Sequence, residues 1–153
     1  MAGIRDIWLF ANNIIRSSRQ MINEGLKPLN LSSAEGNIII HLLTQEQQFR
    51  QEDIVEQLDI SRPAVSRALE SLEGKGFVVR EKAPSDKRVS RVKLTAKAME
   101  IAPQIEKVYN DVFTAAAQGI NETEINDFIN LFRRVSESFS AARRKTHIRG
   151  EGD

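Results

Sequence analysis

The stretch from Gln51 to Leu94 constrains this chain most, because it sets two short helical patterns, a tight turn and two strand-like runs in close succession. Gln51 to Leu58 is amphipathic, with Ile54, Val55 and Leu58 on one side and Glu52, Asp53 and Glu56 on the other. Asp59-Ile60 leaves room for a turn only. Ser61 has the chemistry of an N-cap, since its hydroxyl can accept from the free amides of the next turn. Pro63 falls in that first turn, where a missing N–H costs nothing. Val65, Leu69 and Leu72, with Ala64 and Ala68, share one face at helical spacing and leave Arg62, Pro63, Ser66 and Arg67 facing outward. This is the pattern of a helix-turn-helix that reads DNA.

The residues after the second helix sharpen that expectation. Gly76 can supply a left-handed C-cap. Phe77 to Lys82 is strand-like, and Ser90 to Leu94 alternates with period two. Ala83 to Val89, with Pro84 and Asp86 as turn formers, is predicted to be the connecting loop. A two-stranded hairpin after a helix-turn-helix is a wing. Between Arg80 and Lys97 the basic residues Arg80, Lys82, Lys87, Arg88, Arg91, Lys93 and Lys97 face only Glu81 and Asp86, an excess suited to a phosphate-lined surface.

Three motifs resemble one known family. They are Asp86-Lys87-Arg88 followed after five residues by Leu94-Thr95, Leu58-Asp59-Ile60-Ser61 before the second helix, and Leu72-Glu73-Gly74-Lys75-Gly76-Phe77-Val78 at the helix-to-wing junction. Together they resemble the multiple-antibiotic-resistance regulator (MarR) family of winged-helix repressors. That family's pattern usually has Gly three residues after the Thr, where this chain has Ala98, a change that favours helix initiation. The resemblance implies a mainly α (α+β) fold: a winged helix-turn-helix lobe with a two-stranded wing, plus long N- and C-terminal dimerisation helices. It also implies that a small aromatic or phenolic effector would bind between the dimerisation helices and the DNA-binding lobe. Such an effector would shift the spacing of the two reading helices. The expected crevice is lined from the first helix, the helix holding Ile38 to Leu43 and the helix after Thr95; no effector residue is singled out.

The flanking sequence supplies the long helices. Ile4, Ile7, Trp8, Ala11, Ile14, Ile15, Ser18 and Ile22 form a stripe, and Leu9 and Phe10 lie off it, so the first helix is apolar on a second side. Gly25 and Pro28 are expected to end it. Ser32-Ser33-Ala34-Glu35 has capping-box spacing and opens a largely buried helix. His41 within it reads as a core-edge histidine bonded to a neighbour rather than a sensor. After the wing, Thr95 can cap a helix running towards Gly119, which Pro103 should kink or restart. Asn121-Glu122-Thr123-Glu124 caps another, ending near Arg143-Arg144-Lys145.

At 153 residues there is room for one core, not two. The expected organisation is a single domain: 1–30 and 96–146 for dimerisation, 32–95 as the winged lobe and 147–153 as a flexible tail. Zipper-like or purely intramolecular packing leaves three long helices with little body to cover. The first helix and the last two are therefore expected to intertwine with a second copy, as an obligate homodimer. Two-fold symmetry would then set two reading helices about 34–36 Å apart, matching successive major grooves.

The candidate DNA-binding residues are Ser61, Arg62, Pro63, Ser66, Arg67, Asp86, Lys87, Arg88 and Arg91. Ser66 and Arg67 are placed for base edges, Arg being the commoner partner of guanine. Ser61, Arg62 and Pro63 lie at the helix start, where free amides favour anions. Arg88 is the choice for minor-groove insertion, with Asp86 holding its guanidinium in a fork. Lys87, Arg91 and Lys93 read as phosphate contacts or solvated charges. The bland alternatives are a solvated helix face for Arg62 and Arg67, and a local hairpin ion pair for Asp86 and Arg88.

Other classes are disfavoured. Net charge is only +1, so any nucleic-acid reading rests on local charge. Cysteine is absent, which fits a reducing cytoplasm and removes thiol-based peroxide sensing and thiolate zinc sites. No run is long enough to span a membrane, and Met1 to Phe10 lacks secretory-signal form. Two histidines and no phosphate-cradling loop or nucleophile–base set argue against an enzyme, a metal or a cofactor. The expected partners are double-stranded DNA, a second copy and an effector. The reading is a homodimeric repressor of palindromic operators; the alternatives are a winged-helix module that binds protein, or a constitutive DNA binder with no effector.

Overall fold

The computed structural model describes residues 3–44 and 49–150. In chain order it has α1 (Ile4–Leu26), a 3-10 turn (Lys27–Leu29), α2 (Ser33–Leu43), β1 (Phe49–Arg50), α3 (Gln51–Leu58), α4 (Arg62–Gly74), β2 (Val78–Ala83), β3 (Asp86–Leu94), α5 (Ala96–Ala116) and α6 (Glu122–Gly150). The chain divides into two compact units, 1–112 and 113–153, so the division falls within α5. No helix among the described residues is long and apolar enough to cross a membrane.

The first unit has one core. Leu26 of α1, Ile38 and Ile39 of α2, Ile54 of α3, Val65, Leu69 and Leu72 of α4, Val78 and Val92 of the sheet, and Ile105 of α5 are fully buried. Burying each such side chain stabilises by about 1.5–3 kcal/mol relative to leaving it in water. The helices start where their caps say they should. Ser32 Oγ accepts from the Glu35 amide at 3.2 Å, and the Ser32 amide donates to Glu35 Oε2 at 3.1 Å. Thr95 Oγ1 accepts from the Ala98 amide at 3.3 Å. α1, α2 and α5 approach closely at two glycines. A Cβ on Gly25 would lie 2.5 Å from Val108 Cγ1, and one on Gly36 would collide with Leu26 Cδ1. Beside Gly36, the Tyr109 hydroxyl donates to Asn37 Oδ1 at 2.5 Å. His41 packs its ring on Phe49 at 5.1 Å between centroids, as a core-edge histidine would. The hydrogen bond expected of it is not found among the described residues, where Nε2 is buried without a partner.

The expected two-stranded wing is present as β2 paired antiparallel with β3, and a third, two-residue strand joins the sheet: Phe49 and Arg50 pair antiparallel with Val92 and Arg91, giving the order β1-β3-β2 among the described residues. The row Phe49, Val92, Arg80 faces inward, with Phe49 and Val92 buried. The expected loop from Ala83 to Val89 is also mostly strand. Lys82 stands opposite Ser90 while Ala83 stands opposite Asp86, so Lys87, Arg88 and Val89 bulge out of register next to a tight Pro84-Ser85 turn.

The terminal helices have the predicted extents at their starts. Pro103 neither stops nor restarts α5, which is one element from Ala96 to Ala116. In the second unit, Asn121 Oδ1 accepts from the Glu124 amide while Glu124 Oε2 accepts from the Asn121 amide, both at 2.9 Å. α6 then runs to Gly150, overlapping the stretch expected as a tail, and 151–153 lie outside the described residues.

Candidate nucleic-acid interface

α4, the helix expected to read DNA, is fixed at both ends. At its start, Ser61 Oγ accepts from the Ala64 amide at 3.4 Å, and Pro63 sits in the first turn. Serving as cap leaves the Ser61 hydroxyl proton free to donate outward. At its end the Gly76 amide bonds Glu73 O at 3.0 Å and the Phe77 amide bonds Leu72 O at 2.9 Å, with Gly76 at φ 79°. This paired closure needs the left-handed residue that glycine supplies without strain. Phe77 and Leu72 are both in the core, which completes the cap.

Between those ends, Arg62, Pro63 and Arg67 are exposed and Ser66 is half-buried, so the edge expected to face a groove does face outward. Arg62 Nη2 lies 3.0 Å from Glu52 Oε2 of α3, with the arginine side chain 75% exposed. A pair this wet contributes little, so Arg62 can exchange Glu52 for a phosphate at small cost.

At the wing tip, Asp86 Oδ1 accepts from both the Arg88 amide at 3.0 Å and Arg88 Nε at 3.2 Å. The expected two-oxygen fork is thus replaced by one oxygen holding Arg88 through its backbone and its Nε. The Arg88 side chain is 91% exposed. The Arg88 amide, then its guanidinium, hold the Asp86 carboxyl below the usual carboxylate range. Arg50 is close enough to add to that effect, and the sequence does not reveal it because a two-residue strand has no periodicity to show. Lys87 is exposed in the bulge. Arg91 stands between Arg50 and Glu81 in the strand register, which places it on the outward face of the sheet.

The fork predicted at the tip occurs instead at the wing's root. Arg80 Nη2 donates to Glu73 Oε1 at 3.1 Å and Nε to Oε2 at 3.3 Å, and the Arg80 amide donates to Oε2 at 3.2 Å. This ties β2 to the last turn of α4, and the Arg80 guanidinium pulls the Glu73 carboxyl down. Thr95 adds a second tie, its hydroxyl donating to Gly76 O at 2.6 Å. α4 and the wing therefore belong to one braced unit. Among the described residues no group of three or more His, Asp or Glu is arranged to hold a metal ion.

The MarR family model matches residues 37–90, from α2 through the wing tip. That stretch, which holds the winged helix, is thus similar to the MarR family. The fold as a whole agrees. The transcriptional regulator SlyA is 26% identical with a TM-score of 0.81, over 90% of this chain and 96% of its own. A MarR transcriptional regulator from Methanosarcina mazei Go1 is 20% identical with a TM-score of 0.81, over 89% and 97% of the two chains. A Listeria monocytogenes protein described as a MarR family transcriptional regulator, solved with 26mer DNA, is 25% identical with a TM-score of 0.79, over 93% and 91%. Each of these three similar proteins is described as a transcriptional regulator.

Proposed function

We propose that this chain is a MarR-family regulator that binds palindromic operator DNA as a homodimer and represses transcription from it, in the cytoplasm. The observation that carries the reading is the outward edge of α4, from Ser61 to Arg67, braced in one unit with a wing that exposes Lys87 and Arg88. Ser66 and Arg67 would read base edges in the major groove. Ser61, Arg62 and Pro63 would meet the backbone at the helix start, where free amides also attract phosphate. Arg88 would enter the minor groove with Asp86 fixing its direction, and Lys87 and Arg91 would contact phosphates. The Listeria monocytogenes relative solved with DNA supports this use of the fold.

Dimerisation is supported by apolar surface the single chain leaves in water. On α1, Trp8 is 66% and Phe10 62% exposed, with Ile4, Leu9, Ile14 and Ile15 also more than half exposed. On α6, Leu131 and Phe139 are exposed, and Phe128 stacks on an exposed Phe132. Surfaces this apolar mark interaction sites, and a second copy presents the same faces. Release by a small aromatic or phenolic effector belongs to the same proposal and rests on the family resemblance; stabilisation by such acids in a thermal-shift screen would support it. The operator reading is tested by Arg67→Ala, expected to cost about 1–3 kcal/mol on the selected site and to relax discrimination at one base pair. Equal losses on every sequence would overturn the base-reading role, and DNA affinity indifferent to salt would favour a protein-binding module.

A further inference from the structure

The end of α4 carries a second brace, to the turn after α1 and the start of α2. Lys75, the residue that closes the helix, donates through Nζ to Asn30 O at 2.7 Å and to Glu35 Oε2 and Oε1 at 2.9 and 3.1 Å. Glu35 is 6% exposed, a depth at which a carboxylate is not left without a purpose. Burial alone would push its carboxyl up, but hydrogen bonds from Ser71, Lys75 and the Ser32 amide outweigh that and hold it low. The same Glu35 closes the capping box of α2. One residue on, the Ser33 amide donates to Asn23 Oδ1 of α1 at 2.7 Å. Asn30, left-handed at φ 56°, ends the 3-10 turn after α1 and offers its carbonyl to Lys75. A continuous polar path therefore runs from α1, through the start of α2, to the end of the reading helix. Lys97 Nζ completes the clamp by donating to Lys75 O at 2.7 Å.

We propose that Lys75 is a positioning residue: its bond to Glu35 sets the tilt of α4 against α1, and so the half-site spacing a dimer accepts. The proposal rests on the dimeric, operator-binding reading above. A buried ion pair adds little net stability against an apolar replacement but fixes one geometry over its neighbours. α1 carries the exposed apolar face assigned to the partner copy, so tilt relative to α1 becomes separation between two reading helices.

The test uses the full chain and inverted-repeat duplexes whose spacer is the selected length, one base pair longer or one shorter. Glu35→Gln keeps a residue competent for the capping box while removing the ionic link. Lys75→Met removes the link from the other side, and Lys75→Arg restores a cation. Wild type is expected to prefer one spacer. Glu35→Gln and Lys75→Met are expected to lose roughly fivefold or more of that preference, a coupling of ordinary size. Affinity for random duplex and base preference within a half-site are expected to stay unchanged, and Lys75→Arg to recover the preference. A merely structural role would lower the melting temperature and leave spacing untouched. Folded Glu35→Gln protein with the wild-type preference would overturn the proposal while leaving the operator reading intact. Wild type indifferent to spacing would overturn the dimeric reading itself, and the positioning role with it.

Discussion

Lys87→Ala isolates the electrostatic part of DNA binding. Lys87 is exposed in the bulge at the wing tip, out of register with β2, so removing it disturbs no strand pairing and no core. Stability is expected to change by no more than about 0.5 kcal/mol. Each phosphate neutralised contributes about 0.9 to the slope of log affinity against log salt. A two-fold dimer loses two such contacts, so the slope becomes shallower by about 1.8. Between about 50 and 200 mM salt that amounts to a roughly twelvefold smaller loss of affinity than the parent shows. Fluorescence anisotropy of a labelled operator duplex across a potassium chloride series measures it directly. Base preference is expected to be unaltered, since a phosphate contact carries no sequence information. An unchanged slope would refute the contact. A change of only about 0.9 would refute the doubling by symmetry.

Three further outcomes are expected from the geometry. Trp8→Glu, on a residue the single chain leaves 66% exposed, is expected to shift the mass in light scattering from dimer to monomer without loss of helical signal; a retained dimer would count against α1 as the interface. Gly36→Ala places a methyl against Leu26 Cδ1 and the Tyr109 hydroxyl, and is expected to cost about 1–3 kcal/mol in urea unfolding; a neutral result would mean that α1, α2 and α5 are less closely packed. Glu35 and Glu73 both have carboxyls held low in the folded chain. Their contribution is fully present above the unfolded carboxyl range and is lost as pH falls through the folded values, so Glu35→Gln is expected to lose less stability on acidification than the parent; identical pH profiles would contradict this.

Much of the winged lobe was legible because its signals are local. Ser61, Pro63 and Gly76 act within one turn of where they stand, and the apolar spacing of Val65, Leu69 and Leu72 needs only the helical period. The capping pairs Ser32–Glu35 and Asn121–Glu124 obey the same logic. What escaped was set by distance or brevity. β1 is two residues long, too short for an alternating pattern. The strand bulge at Lys87 to Val89 reads as loop because turn-forming residues and charges say nothing of register. The Asp86–Arg88 pair was visible from spacing, yet which atoms meet depends on that bulge. Arg80–Glu73 and Lys75–Glu35 join residues 7 and 40 positions apart, across turns whose course no composition reveals.

The central claim is that one exposed helix edge and one wing arginine read DNA twice, related by a two-fold axis. Selection of bound sites from random duplex tests it most directly. The expected result is enrichment of an inverted repeat with half-sites about 10–10.5 base pairs apart, centre to centre, or a multiple of that. Enrichment of a single unrepeated half-site, or of no sequence at all by folded protein at low salt, would contradict it.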